Sequence, residues 1–255
     1  MRSIRGVAAV GALLLLAACS SAPATSADGP SGRLTVFAAA SLQGVFDQLA
    51  VELEAQQPGV TLDPVTYDGS STLATQLVGG ARADVFASAD EVTMAAVTDA
   101  GLGRGQPTVF ATNTLEIVVE PGNPLGIDSL ADLAALSTSG GTVVLCAAQV
   151  PCGSAARTVL DGAGLALTSV SEEQNVTAVL TKVRTGDADA GLVYRTDVQA
   201  AGGSVEGVRF PEAATAVNRY PIVTLTEDRA AQAFVDLVLS DTGRRILQAA
   251  GFGAP

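Results

Sequence analysis

The 255-residue chain has no histidine, no tryptophan and a single lysine, Lys182. Without histidine the Ser-His-Asp and Cys-His nucleophile arrangements and the His-rich zinc sites are excluded, and one lysine leaves little for phosphate-gripping motifs. Positive charge is scarce altogether. Against 26 Asp plus Glu stand 14 Lys plus Arg, a formal net charge of −12, which repels phosphate backbones and anionic membrane surfaces over most of the surface. No nucleic-acid partner is expected. Only 16% of the residues are charged but 48% are apolar, which excludes a disordered chain, and the 27 glycines and 11 prolines follow no collagen-like period. The length allows one large domain or two modest ones.

What is present begins with an address. Arg2 and Arg5 precede an apolar run, 7–18, too short for a membrane span of about 20 residues but suited to a secretory h-region. The run ends Leu16-Ala17-Ala18-Cys19, which resembles the bacterial lipobox and makes Cys19 the expected lipidated first residue; an ordinary signal peptide with a chance cysteine is the competing reading. Loss of residues 1–18 removes two arginines and no acid, leaving −14. Residues 19–32 are Ser, Ala, Pro, Gly and Thr with one Asp besides Cys19, a flexible tether between lipid and domain. The protein is therefore expected outside the cell membrane, anchored to its outer face. Two further cysteines, Cys146 and Cys152, are expected to pair as a disulfide in that oxidising compartment. Two buried thiols are the alternative, and zinc would lack a third ligand.

Short β-type runs alternate with helical stripes, which predicts an α/β fold with mostly parallel sheets. Runs at 34–39, 60–66, 83–88 and 114–120 read as strands of a first unit, and the turn-rich Pro121-Gly122-Asn123-Pro124 marks a crossover. Runs at 142–147 and 191–194 belong to a second unit. The strand from Tyr220 then returns to the first, with helices near 228–239 and 242–250. The expected layout is two lobes, 33–118 with 214–255 and 119–213, with the ligand in the cleft. A single doubly wound sheet is the alternative.

Four expected helices open on small or polar residues just after a strand or tight loop: at Ser41, at Ser70, at Cys152-Gly153-Ser154 and at Asn175-Val176. Each alone is an ordinary N-cap. Helix starts after parallel strands nevertheless gather at one sheet edge, where free N–H groups and positive dipole ends form a site for an anion. Hydroxyls, amides and one phenol can hold a dianion without a counter-charge.

These residues resemble a known family, the periplasmic molybdate-binding proteins of molybdate ABC transporters, which have a two-lobe type II periplasmic-binding fold. The resemblance runs from about Leu34 to Phe252. It is carried by Val36-Phe-Ala-Ala-Ala-Ser-Leu, Gly69-Ser-Ser-Thr-Leu-Ala-Thr-Gln-Leu, Ala83-Asp-Val-Phe-Ala-Ser-Ala-Asp, Val150-Pro-Cys-Gly, Asn175-Val and Gly191-Leu-Val-Tyr-Arg-Thr-Asp, in this order. It implies that the oxyanion is held by the hydroxyls of Ser41 and Ser70, the N–H groups of Cys152 and Val176, and the Tyr194 hydroxyl. It further implies capture of molybdate or tungstate, no cofactor or directly bound metal ion, a permease as partner, a monomer, and no enzyme activity. Cys152 stands where the family commonly has alanine, which matters little if only its N–H is used. Asp68, two residues before Ser70, would oppose an anion and is expected to point to solvent. Asp84 and Asp189 are expected as structural carboxylates in βα turns.

Donors alone favour an anion that is fully deprotonated near neutral pH, which disfavours phosphate and admits molybdate, tungstate and sulfate. Preference over sulfate rests on the resemblance. A lipid-anchored serine hydrolase using Ser41 or Ser70 competes, but the chain offers no histidine base, no Gly-x-Ser-x-Gly elbow and no Ser-x-x-Lys pair. A purely structural lipoprotein is a third alternative.

Overall fold

The computed structural model describes residues 29–255; the expected signal peptide, Cys19 and most of the tether lie outside them. The chain first lays down β1 (Gly32–Leu34), β2 (Val36–Ala39), α1 (Gln43–Gln56), β3 (Val60–Leu62), β4 (Thr66–Asp68), α2 (Ser70–Val78), β5 (Val85–Ala87), α3 (Glu91–Asp99) and β6 (Arg104–Asn113). It then builds β7 (Leu115–Val119), α4 (Leu130–Thr138), β8 (Val143–Cys146), α5 (Pro151–Ala163), β9 (Ser171–Glu173), α6 (Val176–Arg184), β10 (Ala190–Tyr194), α7 (Arg195–Ala200) and β11 (Glu206–Val208). β12 (Asn218–Thr224), α8 (Arg229–Leu239) and α9 (Asp241–Ala249) close the chain.

Two five-stranded sheets result, ordered β4-β2-β5-β12-β6 and β11-β7-β10-β8-β9, with β1 and β3 as a separate parallel pair. Each sheet is the centre of one lobe. In lobe I the apolar residues of β2, β5 and β12 pack on α1 and α8 on one face, with Phe46 and Phe234 in edge-to-face contact. Phe37, Phe86 and Val223 pack on α2 and α3 on the other. Lobe II has its own core, from Leu115 to Ala213. Strands covered by helices on both faces need continuous apolar runs, and Leu115–Val119 and Val143–Cys146 are buried throughout.

Four strands of each sheet run one way and one runs against them, for a topological reason. β2, β4 and β5 run parallel, as do β8, β9 and β10, and their carboxyl ends face the other lobe. A strand arriving from the opposite lobe starts at that same edge, so it must run against the rest. β7 does so, with Leu115 opposite Tyr194, and so does β12, antiparallel to both β5 and β6.

The lobe limits differ from the expected ones. β6 still belongs to the first sheet and β7 already to the second, so the crossover falls at Thr114 instead of near Pro121. Ala216 still packs on the core of lobe II, which puts the return just before Asn218 rather than at residue 214. The crossover is braced from lobe II: the Arg195 N–H donates to the Thr114 carbonyl at 3.0 Å and Asn113 Nδ2 to Thr196 Oγ1 at 2.8 Å. Among the described residues no helix is long and apolar enough to cross a membrane.

Candidate anion site between the lobes

The carboxyl ends of both sheets meet across a small cavity. It is lined from lobe I by Ala39, Ala40, Ser41, Gly69 and Ala89, and from lobe II by Val150, Pro151, Cys152, Asn175, Val176 and Tyr194. None of these side chains is charged. Its volume of about 10 Å³ is no more than that of one water-sized sphere, roughly 10 to 15 Å³, so the lobes are closed down on each other here.

Its walls are helix starts. Gly69, Val150 and Asn175 are the N-cap residues of α2, α5 and α6. Pro151 occupies the first position of α5, where its missing N–H costs nothing. The first intrahelical acceptance in α5 is Ser154 N–H to the Val150 carbonyl. By helix geometry the Cys152 and Val176 N–H groups therefore have no acceptor in their own helices, and the dipole ends of three helices point at one place.

Asn175 is a true cap, its Oδ1 accepting the Ala178 N–H at 2.9 Å. Ser41 and Ser70 are not. Ser41 sits in a 3-10 turn, Ala40–Leu42, ahead of α1 rather than opening it; Ser70 is the first residue of α2, whose cap is Gly69. Ser41 Oγ lies 3.0 Å from the Tyr220 hydroxyl, and Asn113 Nδ2 donates to that hydroxyl oxygen at 3.5 Å. Either hydroxyl can donate in the Ser41–Tyr220 pair; when the phenol donates, the Ser41 proton is left for a ligand. Ser70 is 1% exposed and its Oγ accepts the Ala89 N–H at 2.9 Å, which likewise leaves its proton available. Ser70 does not itself face the cavity; its neighbours Gly69 and Ala89 do.

Tyr194 ends β10 and is 1% exposed; its buried hydroxyl has no hydrogen-bond partner within 3.5 Å among the described residues, although the Tyr220 hydroxyl is near enough to act on it. A buried hydroxyl left so costs about 1 to 3 kcal/mol. Burial, then the neighbouring Tyr220, Asp197 and Asp90, push its pKa well up. Tyr220, packed edge to face at 6.0 Å between ring centroids, is raised chiefly by burial as well. Both phenols stay protonated and can donate.

The Cys146–Cys152 disulfide is present, with Cα atoms 5.7 Å apart, and it joins the end of β8 to the first turn of α5. The loop it closes is tight. A Cβ on Gly153 would stand 1.9 Å from the Ala147 carbonyl oxygen, so only glycine fits there.

Of the expected ligand residues, the structure brings Ser41, Cys152, Val176 and Tyr194 to one cavity and sets Ser70 beside it. Tyr220 went unnoticed, because a tyrosine in a strand reads as core. Asp68 does not point to solvent: half-buried, it accepts the Gly69 N–H at 2.7 Å and, across the cleft, Asn175 Nδ2 at 2.8 Å. Asp84 and Asp189 are structural but precede strands instead of following them, at the edges away from the cleft. Asp84 accepts the Thr35 N–H at 2.8 Å, and Asp189 the Thr142 N–H and hydroxyl at 2.6 Å each. No cluster of three His, Cys, Asp or Glu fit to hold a metal ion occurs among the described residues.

The family model for bacterial extracellular solute-binding proteins matches residues 34–253. The chain belongs to that family. Among relatives of this solute-binding protein, the molybdate-binding protein ModA of Mycobacterium bovis is 49% identical over 247 residues, covering 94% of this chain and 93% of the relative. The Escherichia coli protein of the same name is 29% identical, covering 92% and 95%. The periplasmic molybdate-binding protein of Azotobacter vinelandii superposes with a TM-score of 0.72 at 23% identity, covering 87% of this chain and 99% of that one. The sulfate-binding protein SubI of Mycobacterium tuberculosis gives 0.74 at 18%, covering 86% of each chain. These two structural likenesses speak for the fold.

Proposed function

We propose that this protein captures molybdate or tungstate outside the cell membrane and delivers it to the permease of an ABC transporter, as a monomer held to the outer face of the membrane by lipid on Cys19. The anion sits in the cavity between the lobes. It accepts hydrogen bonds from the Ser41 and Ser70 hydroxyls, the Cys152 and Val176 N–H groups and the Tyr194 phenol. The observation that carries this reading is the unpartnered Tyr194 hydroxyl at a cavity without a charged lining residue. Every polar group proposed to reach the ligand gives a proton, so an anion that needs none of its own accepted is favoured over protonated phosphate. The mycobacterial relative at 49% identity, named for molybdate, supports the same choice over sulfate. A nucleophilic serine has no support from the geometry: Ser41 and Ser70 are bonded to Tyr220 and Ala89, and no base stands beside them.

Thermal unfolding with each anion tests the reading. Molybdate or tungstate at a hundred times its dissociation constant is expected to add about 2.7 kcal/mol of stability, and sulfate or phosphate at equal concentration far less. Equal shifts for all four would contradict it.

A further inference from the structure

The cleft is closed along one rim by three contacts between the lobes. Asp68 meets Asn175. Three residues on, Ser71 Oγ donates to the Gln149 carbonyl at 2.6 Å. Between them the backbone of Gly69 lies so near the Gln174 carbonyl oxygen that a Cβ would be 2.0 Å from it. The middle contact shows why glycine is needed, and the outer two are polar.

The Asp68 contact differs from the other polar one in what it is joined to. Asn175 uses both ends of its amide: Oδ1 caps α6 through the Ala178 N–H, and Nδ2 crosses to Asp68. Next in the chain is Val176, which lines the cavity at the start of α6. On the other side Asp68 ends β4 and fixes the turn into α2 by taking the Gly69 N–H. One carboxylate therefore ties together the starts of two helices that flank the cavity, one in each lobe. Its charge would oppose an anion if it faced one. Here Oδ1 takes two N–H donors and the residue does not line the cavity.

We propose that Asp68 is a latch for the closed form, a positioning residue that acts through Asn175 to keep the lobes shut over a bound anion. The bond can exist only while the lobes are together, so it slows opening and ligand escape and has no part in the encounter. The inference rests on the oxyanion reading of the cavity.

The test uses the mature protein and its Asp68→Ala and Asp68→Asn variants. Release of radiolabelled molybdate into an excess of unlabelled molybdate gives the dissociation rate, and calorimetry gives the affinity. A hydrogen bond to a charged group at a half-buried site is worth about tenfold, so Asp68→Ala is expected to release molybdate about tenfold faster, with an association rate within about twofold of wild type. Asn at 68 keeps an oxygen for both donors and is expected to restore slow release. Asp68→Ala releasing at the wild-type rate would overturn the latch, as would equal acceleration by both variants, which would make charge and not the bond the cause. Wild-type protein that binds neither molybdate nor tungstate would overturn the oxyanion reading and the latch with it.

Discussion

In the proposed site the two lobes would offer the anion different kinds of donor. Lobe I gives side-chain hydroxyls, Ser41 and Ser70, each already engaged with Tyr220 or Ala89. Lobe II would give backbone N–H groups at helix starts, held by the disulfide at Cys152 and the Asn175 cap at Val176, and one phenol with no partner within 3.5 Å among the described residues. A hydroxyl can be deleted by one substitution and a backbone N–H cannot. Lobe I is therefore vulnerable at its ligands and lobe II at the groups that aim them.

The largest effects should come from lobe I. Ser41→Ala or Ser70→Ala removes a charge-assisted bond worth about 1.5 to 3 kcal/mol, an affinity loss of about tenfold to a hundredfold in calorimetry. Both variants binding as wild type would break the contrast. Tyr194→Phe tests the lobe II side chain and should cost as much or less in affinity. It should also leave the ligand-free protein as stable or more so by thermal unfolding, because the orphaned hydroxyl is gone. A fall in that stability would mean the phenol has a partner.

Next in size is the double replacement Cys146→Ser/Cys152→Ser, which leaves the Cys152 N–H in place but frees its loop. The closed ring is short, so about 2 kcal/mol of stability should go, with weaker molybdate binding through lost pre-organisation. Unchanged affinity would show that the bridge does not aim the donor. Mass spectrometry without reductant should find the exported domain two hydrogens lighter than its reduced form.

A separate effect, on stability rather than binding, lies behind the site. Asp197 is buried and accepts the Tyr194 N–H at 2.9 Å; burial raises its pKa to about 7 against that bond. Its protonated form thus favours the folded state. That contribution is full below about pH 4 and is lost as pH rises to about 7, opposite in sign to Glu173, whose pKa its neighbours Lys182 and Ser171 hold down despite its burial. Asp197→Asn should flatten the decline in melting temperature between pH 5 and 8. An unaltered slope would show that Asp197 is already ionised.

Much of the site could be read because it sits where strands become helices. Ser, Asn and Gly at those junctions are conspicuous in an apolar sequence, and the parallel strands that precede them carry them to one edge. β6 was missed because Gly105 and Pro107 break any strand pattern; the strand tolerates them because it lies at the sheet edge, where a missing N–H leaves no neighbour unpaired. The crossover was misplaced for a related reason. β6 and β7 follow one another with only Thr114 between, and no turn residue marks the change of sheet, whereas Pro121 and Gly122 mark the far end of β7. Asp68 was misjudged because repulsion from the anion was weighed without the donors that the opposite lobe brings to it.

The most direct measurement is a crystal structure of the mature domain with molybdate, its metal located by anomalous scattering. One peak is expected in the cavity between the lobes, with oxygens within hydrogen-bond distance of Ser41 Oγ, Ser70 Oγ, the Cys152 and Val176 N–H groups and the Tyr194 hydroxyl. A peak elsewhere, or an anion in the cavity that leaves the Tyr194 hydroxyl unbonded, would contradict it.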